Sequence, residues 1–148
     1  MESINICVCT YKRPDLLAKC LESLACMTPL KDAQVSVTVI DNDAEQTARD
    51  LVESIKSAFP FPLYFFHEAK RGIPCARNRA IDETHRLGSS YMVFIDDDEW
   101  VEKDWLKIMY EYCVAQGGKA VISGDVISEL PENTSKDIDF FYQRKNRK

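Results

Sequence analysis

Apolar runs rich in β-branched and aromatic residues alternate along this chain with amphipathic helical stretches, and that alternation limits the fold more than any other feature. The runs are 4–9 (INICVC), 34–40 (QVSVTVI), 63–67 (LYFFH), the apolar start of 91–100 (YMVFIDDDEW), which stops at four acids, and 119–127 (KAVISGDVI). Each has the length and composition of a strand. Between the first two, Pro14 suits the first turn of a helix, and Leu16, Leu17, Cys20, Leu21 and Leu24 form one stripe. A second helix carries Ala48, Leu51, Val52, Ile55 and Phe59, and Pro60 and Pro62 end it. A third opens at Pro74, with Ala76, Ala80, Ile81, Thr84 and Leu87 inward and Gly88 as its stop. A fourth runs from about 102 to 115, with Trp105, Ile108, Met109 and Tyr112 on one face, and Gly117-Gly118 breaks it. Strand–helix alternation of this kind predicts an α/β fold of three layers: a mainly parallel sheet with helices on both faces and right-handed crossovers. Residues 1–127 are read as one domain and 128–148 as a tail without periodicity.

In such a sheet, ligands sit outside the carboxyl ends of the strands. Three polar clusters each follow a strand: Thr10-Tyr11-Lys12-Arg13, Asp41-Asn42-Asp43 and Asp96-Asp97-Asp98-Glu99. They therefore belong on one edge. Four adjacent carboxylates at the end of a buried strand need a cation or several hydrogen-bond donors. A hard divalent ion with oxygen ligands satisfies them, and so does a solvated turn capping the next helix. A dinucleotide fingerprint or a Walker loop would place glycines after the first strand, and 9–14 contains none. A receiver domain would place acids there, where Thr10-Tyr11-Lys12-Arg13 stands. A nucleoside diphosphate bridged by a metal fits what remains.

The 148 residues carry a formal charge of -5, and the only basic stretch is at 144–148 (RKNRK), so no nucleic-acid footprint is present. No run has the length of a membrane span, and Met1-Glu2-Ser3 lacks a signal pattern, so a cytosolic location is expected. The six cysteines lack a C-x-x-C spacing and are read as reduced core residues.

The stretches ICVCTYKRPDLLAKCLESL, VTVIDNDAEQTA, EAKRGIPCARNRAID and YMVFIDDDEW, in that order, resemble the N-terminal, nucleotide-binding half of a family 2 glycosyltransferase with the GT-A fold. They cover most of residues 4–127. The resemblance implies a nucleotide-sugar donor, an acceptor that is a glycan or lipid-linked, and inverting transfer assisted by Mn²⁺ or Mg²⁺. It implies that Thr10 and Tyr11 line the base and ribose pocket, with Arg13 also on the substrate side. Asp41 would accept a hydrogen bond from the base, favouring uracil, and Arg77 would reach the base or phosphates. Asp96 would contact the ribose, with Asp97 counted beside it, and Asp98 would ligate the metal.

Several of these residues keep a second reading. Asp41 equally suits a cap on the second helix. Lys12 and Arg13 suit solvated charges. Asp97 and Glu99 stand between supporting groups and repelled neighbours. Trp100 suits packing or the border of the sugar. Family members usually run well beyond this length, and their second half supplies the acceptor pocket and base. Asp125, Glu129 and Asp137 are available here, but no motif marks one as the base. A non-catalytic nucleotide-binding or assembly module is the alternative. An uncovered sheet edge would favour self-association, and the tail 140–148 (FFYQRKNRK) would cover that edge or touch an anionic membrane.

Overall fold

The computed structural model describes residues 1–129 and 132. Its elements run β1 (Glu2–Thr10), α1 (Pro14–Ala25), β2 (Ala33–Asp41), α2 (Arg49–Ile55), β3 (Leu63–His67), α3 (Ile73–Arg86), β4 (Tyr91–Asp96) and α4 (Trp105–Ala115). The four strands form one parallel sheet in the order β3-β2-β1-β4. The chain thus winds outward from β1 to β3, then returns through α3 to the other side of β1. Right-handed crossovers then put α1 and α2 on one face and α3 on the other. The fold is α/β as expected, with a sheet that is parallel throughout.

The two faces of β1 show how the layers are held. Ile4, Ile6 and Val8 pair in register with Val35, Val37 and Val39, and all six are buried. Leu17, Cys20, Leu21 and Leu24 of α1 are fully buried as well. On the opposite face Cys7 and Ile40 pack against Ala76 and Ala80, and those two small residues let α3 come close. Asn5 joins three elements there. Its Nδ2 donates to Thr84 Oγ1 at 2.7 Å, and its Oδ1 accepts from Thr38 Oγ1 at 2.9 Å and Ser36 Oγ at 3.1 Å. A buried amide is tolerable when it is saturated in this way.

The chain divides into two units, Met1–Ile108 and Met109–Lys148. In the second, the described residues hold the later turns of α4. Gly117 and Gly118 follow at positive φ, and irregular chain continues beyond them. The fifth strand expected over 119–127 is not formed. Ser123 and Gly124 interrupt its apolar pattern, and Val121, Val126 and Ile127 are exposed with no ladder among the described residues. The expected inner face of α4 also changes: Leu106 is buried, whereas Ile108 and Tyr112 are exposed. Leu87, expected inward on α3, is partly exposed, and Glu83 is buried in its place between Arg79 and Arg86. All six cysteines are free. Cys7 and Cys20 are buried, but Cys26 is exposed. The expectations for Asp137 and for the tail 140–148 lie outside the described residues. No helix among the described residues is long and apolar enough to cross a membrane.

Replacing Asn5 with Ala should cost about 1–3 kcal/mol in urea unfolding, because it leaves the buried Thr38 hydroxyl without its acceptor, while the Thr84 hydroxyl keeps its bond to the Ala80 carbonyl at 2.8 Å. Ser36→Ala, at the half-buried end of the same network, should cost less than about 1 kcal/mol. Equal costs would mean that Asn5 is not the hub.

Candidate functional site

Strand register builds the site. Thr10 pairs with Asp41, Asp41 with His67, and Cys9 with Asp96, so the ends of all four strands meet on one edge. The order in which strands are added switches sides at β1, with β2 and β3 laid down on one side of it and β4 on the other. That switch point opens the crevice in which ligands of open parallel sheets bind.

β4 ends in a tight turn that sorts its four acids. Glu99 N–H donates to the Asp96 carbonyl at 3.1 Å, and Glu99 Oε2 accepts the Asp96 N–H at 3.0 Å. Asp96 and Asp98 are exposed, while Asp97 between them is fully buried. Thr10 Oγ1 donates to Asp97 Oδ2 at 2.7 Å. Arg13 grips the same carboxylate as a fork, Nε to Oδ2 at 3.2 Å and Nη2 to Oδ1. Its Nη1 reaches Asp98 Oδ2 at 2.9 Å. Burial pushes the Asp97 carboxyl above its ordinary value of 3.8, against the Thr10 hydroxyl and the Arg13 guanidinium, which pull it down. Arg77 Nη2 meets Asp96 Oδ1 at 3.3 Å, and its guanidinium lies 5.4 Å from the Phe94 ring centre.

The loop after β2 is closed by its own acid. Asp41 is fully buried and accepts the N–H of Asp43 at 2.9 Å and of Ala48 at 2.9 Å. The first contact closes a turn within the loop and the second ties the loop to Ala48, just ahead of α2, so both carboxylate oxygens are engaged; α2 has no side-chain cap bond. Asn42 then fastens the loop after β3. Its Nδ2 donates to the carbonyls of Glu68 at 2.8 Å and Lys70 at 2.9 Å, and its Oδ1 accepts the Gly72 N–H at 2.7 Å. Gly72 sits at φ 137°, a conformation open to glycine and strained for other residues. The fastened loop carries Arg71, whose guanidinium lies 5.0 Å from the Tyr11 ring centre. Lys12, at φ 55°, lies 5.9 Å from the same ring centre and 3.7 Å from Asp43.

The predicted residues therefore separate into two groups. Tyr11, Arg13, Arg77, Asp96 and Asp98 reach the surface of the edge. Thr10, Asp41 and Asp97 lie beneath it, at 4%, 0% and 0% exposure. Those three were read as substrate contacts, and in this structure each is engaged by a neighbouring donor or acceptor and helps to hold the loops. Asn42 and Arg71 were not singled out from the sequence. Their only sequence signals are the central position of Asn42 in Asp-Asn-Asp and of Arg71 in Lys-Arg-Gly. Burial pushes the Cys9 thiol up to about 12, so it offers no thiolate at this edge at neutral pH.

Asp96 and Asp98 offer hard oxygen donors. Among the described residues, no three His, Cys, Asp or Glu side chains converge as a metal cage. A donor set of this kind fits a divalent ion that completes its shell with phosphate and water.

The sequence model described as Glycosyl transferase family 2 matches residues 5–147. The succinoglycan biosynthesis protein ExoM of Rhizobium meliloti (strain 1021) is 41% identical over 80% of this chain and 37% of its own length. The glycosyltransferase GlyA of Streptococcus pneumoniae serotype 4 is 25% identical over 76% of this chain and 15% of its own. This chain thus spans well under half of either relative. The crystal structure of S. aureus TarS 1–349 in complex with UDP superposes with a TM-score of 0.66 at 20% identity, covering 87% of this chain and 40% of that one. The complex of the same protein with UDP-GlcNAc gives 0.64. These likenesses establish the fold, which is of the GT-A type.

Thr10→Val should destabilise the protein by about 1.5–3 kcal/mol at pH 7.5, the cost of losing a hydrogen bond to a buried charge. The raised Asp97 carboxyl favours folding when protonated, and that contribution disappears as pH rises through its folded-state value. Removing the Thr10 hydroxyl raises the value further. The gap between variant and wild type should therefore be small near pH 4 and widen toward pH 7.5 in urea titrations. A gap independent of pH would separate Thr10 from the Asp97 charge.

Proposed function

The chain belongs to glycosyl transferase family 2, and from that premise we propose that its carboxyl edge binds the nucleoside diphosphate of an activated sugar, with UDP as the favoured nucleotide. The observation that carries this reading is the sorting of the acidic turn. Asp96 and Asp98 are presented at the switch point, while Asp97 is buried to hold them there. Structural neighbours bearing UDP and UDP-GlcNAc support the choice of nucleotide.

The residues divide the ligand among them. Tyr11, with Arg71 over its ring, offers an aromatic and cationic wall for the base. Asp96, exposed at the end of β4, would accept hydrogen bonds from the ribose hydroxyls. Arg77, half exposed and only 3.3 Å from Asp96, supplies positive charge for the diphosphate. Asp98, with Asp96 beside it, would hold Mn²⁺ or Mg²⁺. Such an ion supplies Lewis-acid stabilisation of the departing diphosphate. Asp41, beneath the edge, fixes the loop after β2.

The reaction proposed is transfer of the sugar to an acceptor hydroxyl with inversion, through an oxocarbenium-like transition state and with a carboxylate as base. The proposed acceptor is a glycan or lipid-linked, at the cytoplasmic face of the membrane; the likeness to a succinoglycan biosynthesis protein supports the polysaccharide part of this setting.

Calorimetric titration of UDP with and without Mn²⁺ tests the reading. Wild type should bind UDP more tightly with Mn²⁺ present, and Asp98→Ala should lower the Mn²⁺-dependent affinity about tenfold or more. Silence toward UDP, GDP and dTDP by well-folded wild type with Mn²⁺ would sink it.

A further inference from the structure

Arg13 stands where local rules would place a different residue. It is the N-cap of α1, with no side-chain cap bond, and Ser, Thr, Asp or Asn are preferred there. Its positive charge also faces the positive end of the helix dipole. The preceding Lys12 is at φ 55°, disfavoured for a residue with a side chain. Two unfavourable local choices in succession point to a tertiary contact that outweighs them. The contact is the double grip on the acidic turn. Nε and Nη2 hold the buried Asp97, and Nη1 holds Asp98 Oδ2 at 2.9 Å.

The two carboxylates differ in what they can do. Asp97 is fully buried and engaged by Thr10 and Arg13, so it can only anchor. Asp98 is exposed, and Arg13 bonds its Oδ2. We propose that Arg13 is the positioning residue of Asp98: anchored on Asp97, it fixes the Asp98 carboxylate so that the other oxygen faces the ligand, and it balances the charge of the turn before a divalent ion arrives. This rests on the reading above that Asp98 is the metal ligand. A guanidinium suits the task because its fixed fork spans two carboxylates, whereas an ammonium offers only a point charge. Partners that orient a metal ligand commonly matter about 10–100-fold in metal affinity.

A rival account uses the same contact. Arg13 could merely compete with the ion for Asp98, in which case removing it would tighten metal binding. The two accounts predict opposite signs.

The test is titration of MnCl₂ into the full chain with saturating UDP, following loss of the free Mn²⁺ signal by electron paramagnetic resonance. Wild type, Arg13→Gln, Arg13→Lys and Arg77→Gln are compared at a temperature where thermal melts show each folded. Arg77→Gln removes the same charge from the same edge but leaves the Asp98 partner in place. Arg13→Gln should weaken Mn²⁺ binding about tenfold or more. Arg13→Lys, which keeps the charge and loses the fork, should fall between wild type and Arg13→Gln, and it carries the test should Arg13→Gln fail to fold. Arg77→Gln should weaken Mn²⁺ binding less than Arg13→Gln. Unchanged or tighter Mn²⁺ binding by a folded Arg13 variant overturns the proposal while leaving Asp98 as the ligand. Equal losses in Arg13→Gln and Arg77→Gln also overturn it, because the effect then does not depend on the contact with Asp98. Wild type that takes up no Mn²⁺ with UDP overturns the ligand assignment and this proposal together, so the two failures are told apart by the wild-type trace.

Discussion

A single buried carboxylate fixes the business end of this sheet. Asp97 lies just past β4 with no exposed surface, and its partners come from the end of β1 and the start of α1. An uncompensated charge in that position would be costly, so the geometry of its partners is narrowly set. Thr10 must end β1 at that height, and Arg13 must turn inward at the first residue before α1. The consequence spreads to neighbouring loops. The Thr10 carbonyl accepts the Asn42 N–H at 3.0 Å, and the Asp41 carbonyl accepts the Glu68 N–H at 2.9 Å. The four strand ends are thereby linked through short polar contacts as well as through the sheet.

Behind this edge, the sheet supplies a rigid platform by unequal packing of its two faces. One face of β1 and β2 is isoleucine and valine, the usual content of a doubly covered parallel sheet. The other mixes Asn5, Cys7, Thr38 and Ile40, and α3 answers with Ala76, Ala80 and Thr84. Small residues bring α3 close, and close approach brings Arg77, one residue after Ala76, to the end of β4. The position of Arg77 beside Asp96 is thus a packing result as much as an electrostatic one. The segment beyond the acidic turn is tied down too. Ser23 Oγ accepts the Val101 N–H at 3.1 Å, and Thr28 bonds the Lys103 carbonyl and the Asp104 carboxylate, each at 2.8 Å. The acidic turn is therefore held from both flanks.

The layers of this fold are legible in the sequence because they rest on local periodicity. Alternation marks β2, the leucine stripe marks α1, and prolines mark where α1 and α3 begin. The carboxyl-edge argument needs nothing more than strand order along the chain. The failures arise where periodicity says nothing about partners. The segment 119–127 is apolar enough for a strand, but a strand exists only with a ladder beside it. Ile108 and Tyr112 share a helical face with Trp105, yet the buried residue of α4 is its neighbour Leu106. In the site, four acids in a row look alike. What separates Asp97 from Asp96 and Asp98 is a threonine 87 positions away and an arginine 84 positions away. Asp41 shows the same limit. Its residue type suits a cap or a ligand contact equally, and the N–H groups of Asp43 and Ala48 give it a third task, holding the loop after β2.

The same sorting explains how so much negative charge is kept at one edge. Coulomb repulsion among four adjacent carboxylates would open the turn unless each found a donor. Each does: Asp96 has Arg77, Asp97 has Thr10 and Arg13, Asp98 has Arg13, and Glu99 has the Asp96 N–H. The buried acid is held by Thr10 and by two nitrogens of Arg13, whereas each exposed aspartate meets one guanidinium nitrogen of a half-exposed arginine, at 47% for Arg77 and 46% for Arg13. Ion pairs at such positions are weak and screened. The exposed carboxylates are therefore held in place without being strongly neutralised. The strong interaction sits underneath, where it fixes the geometry, and the weak ones sit where a ligand must enter.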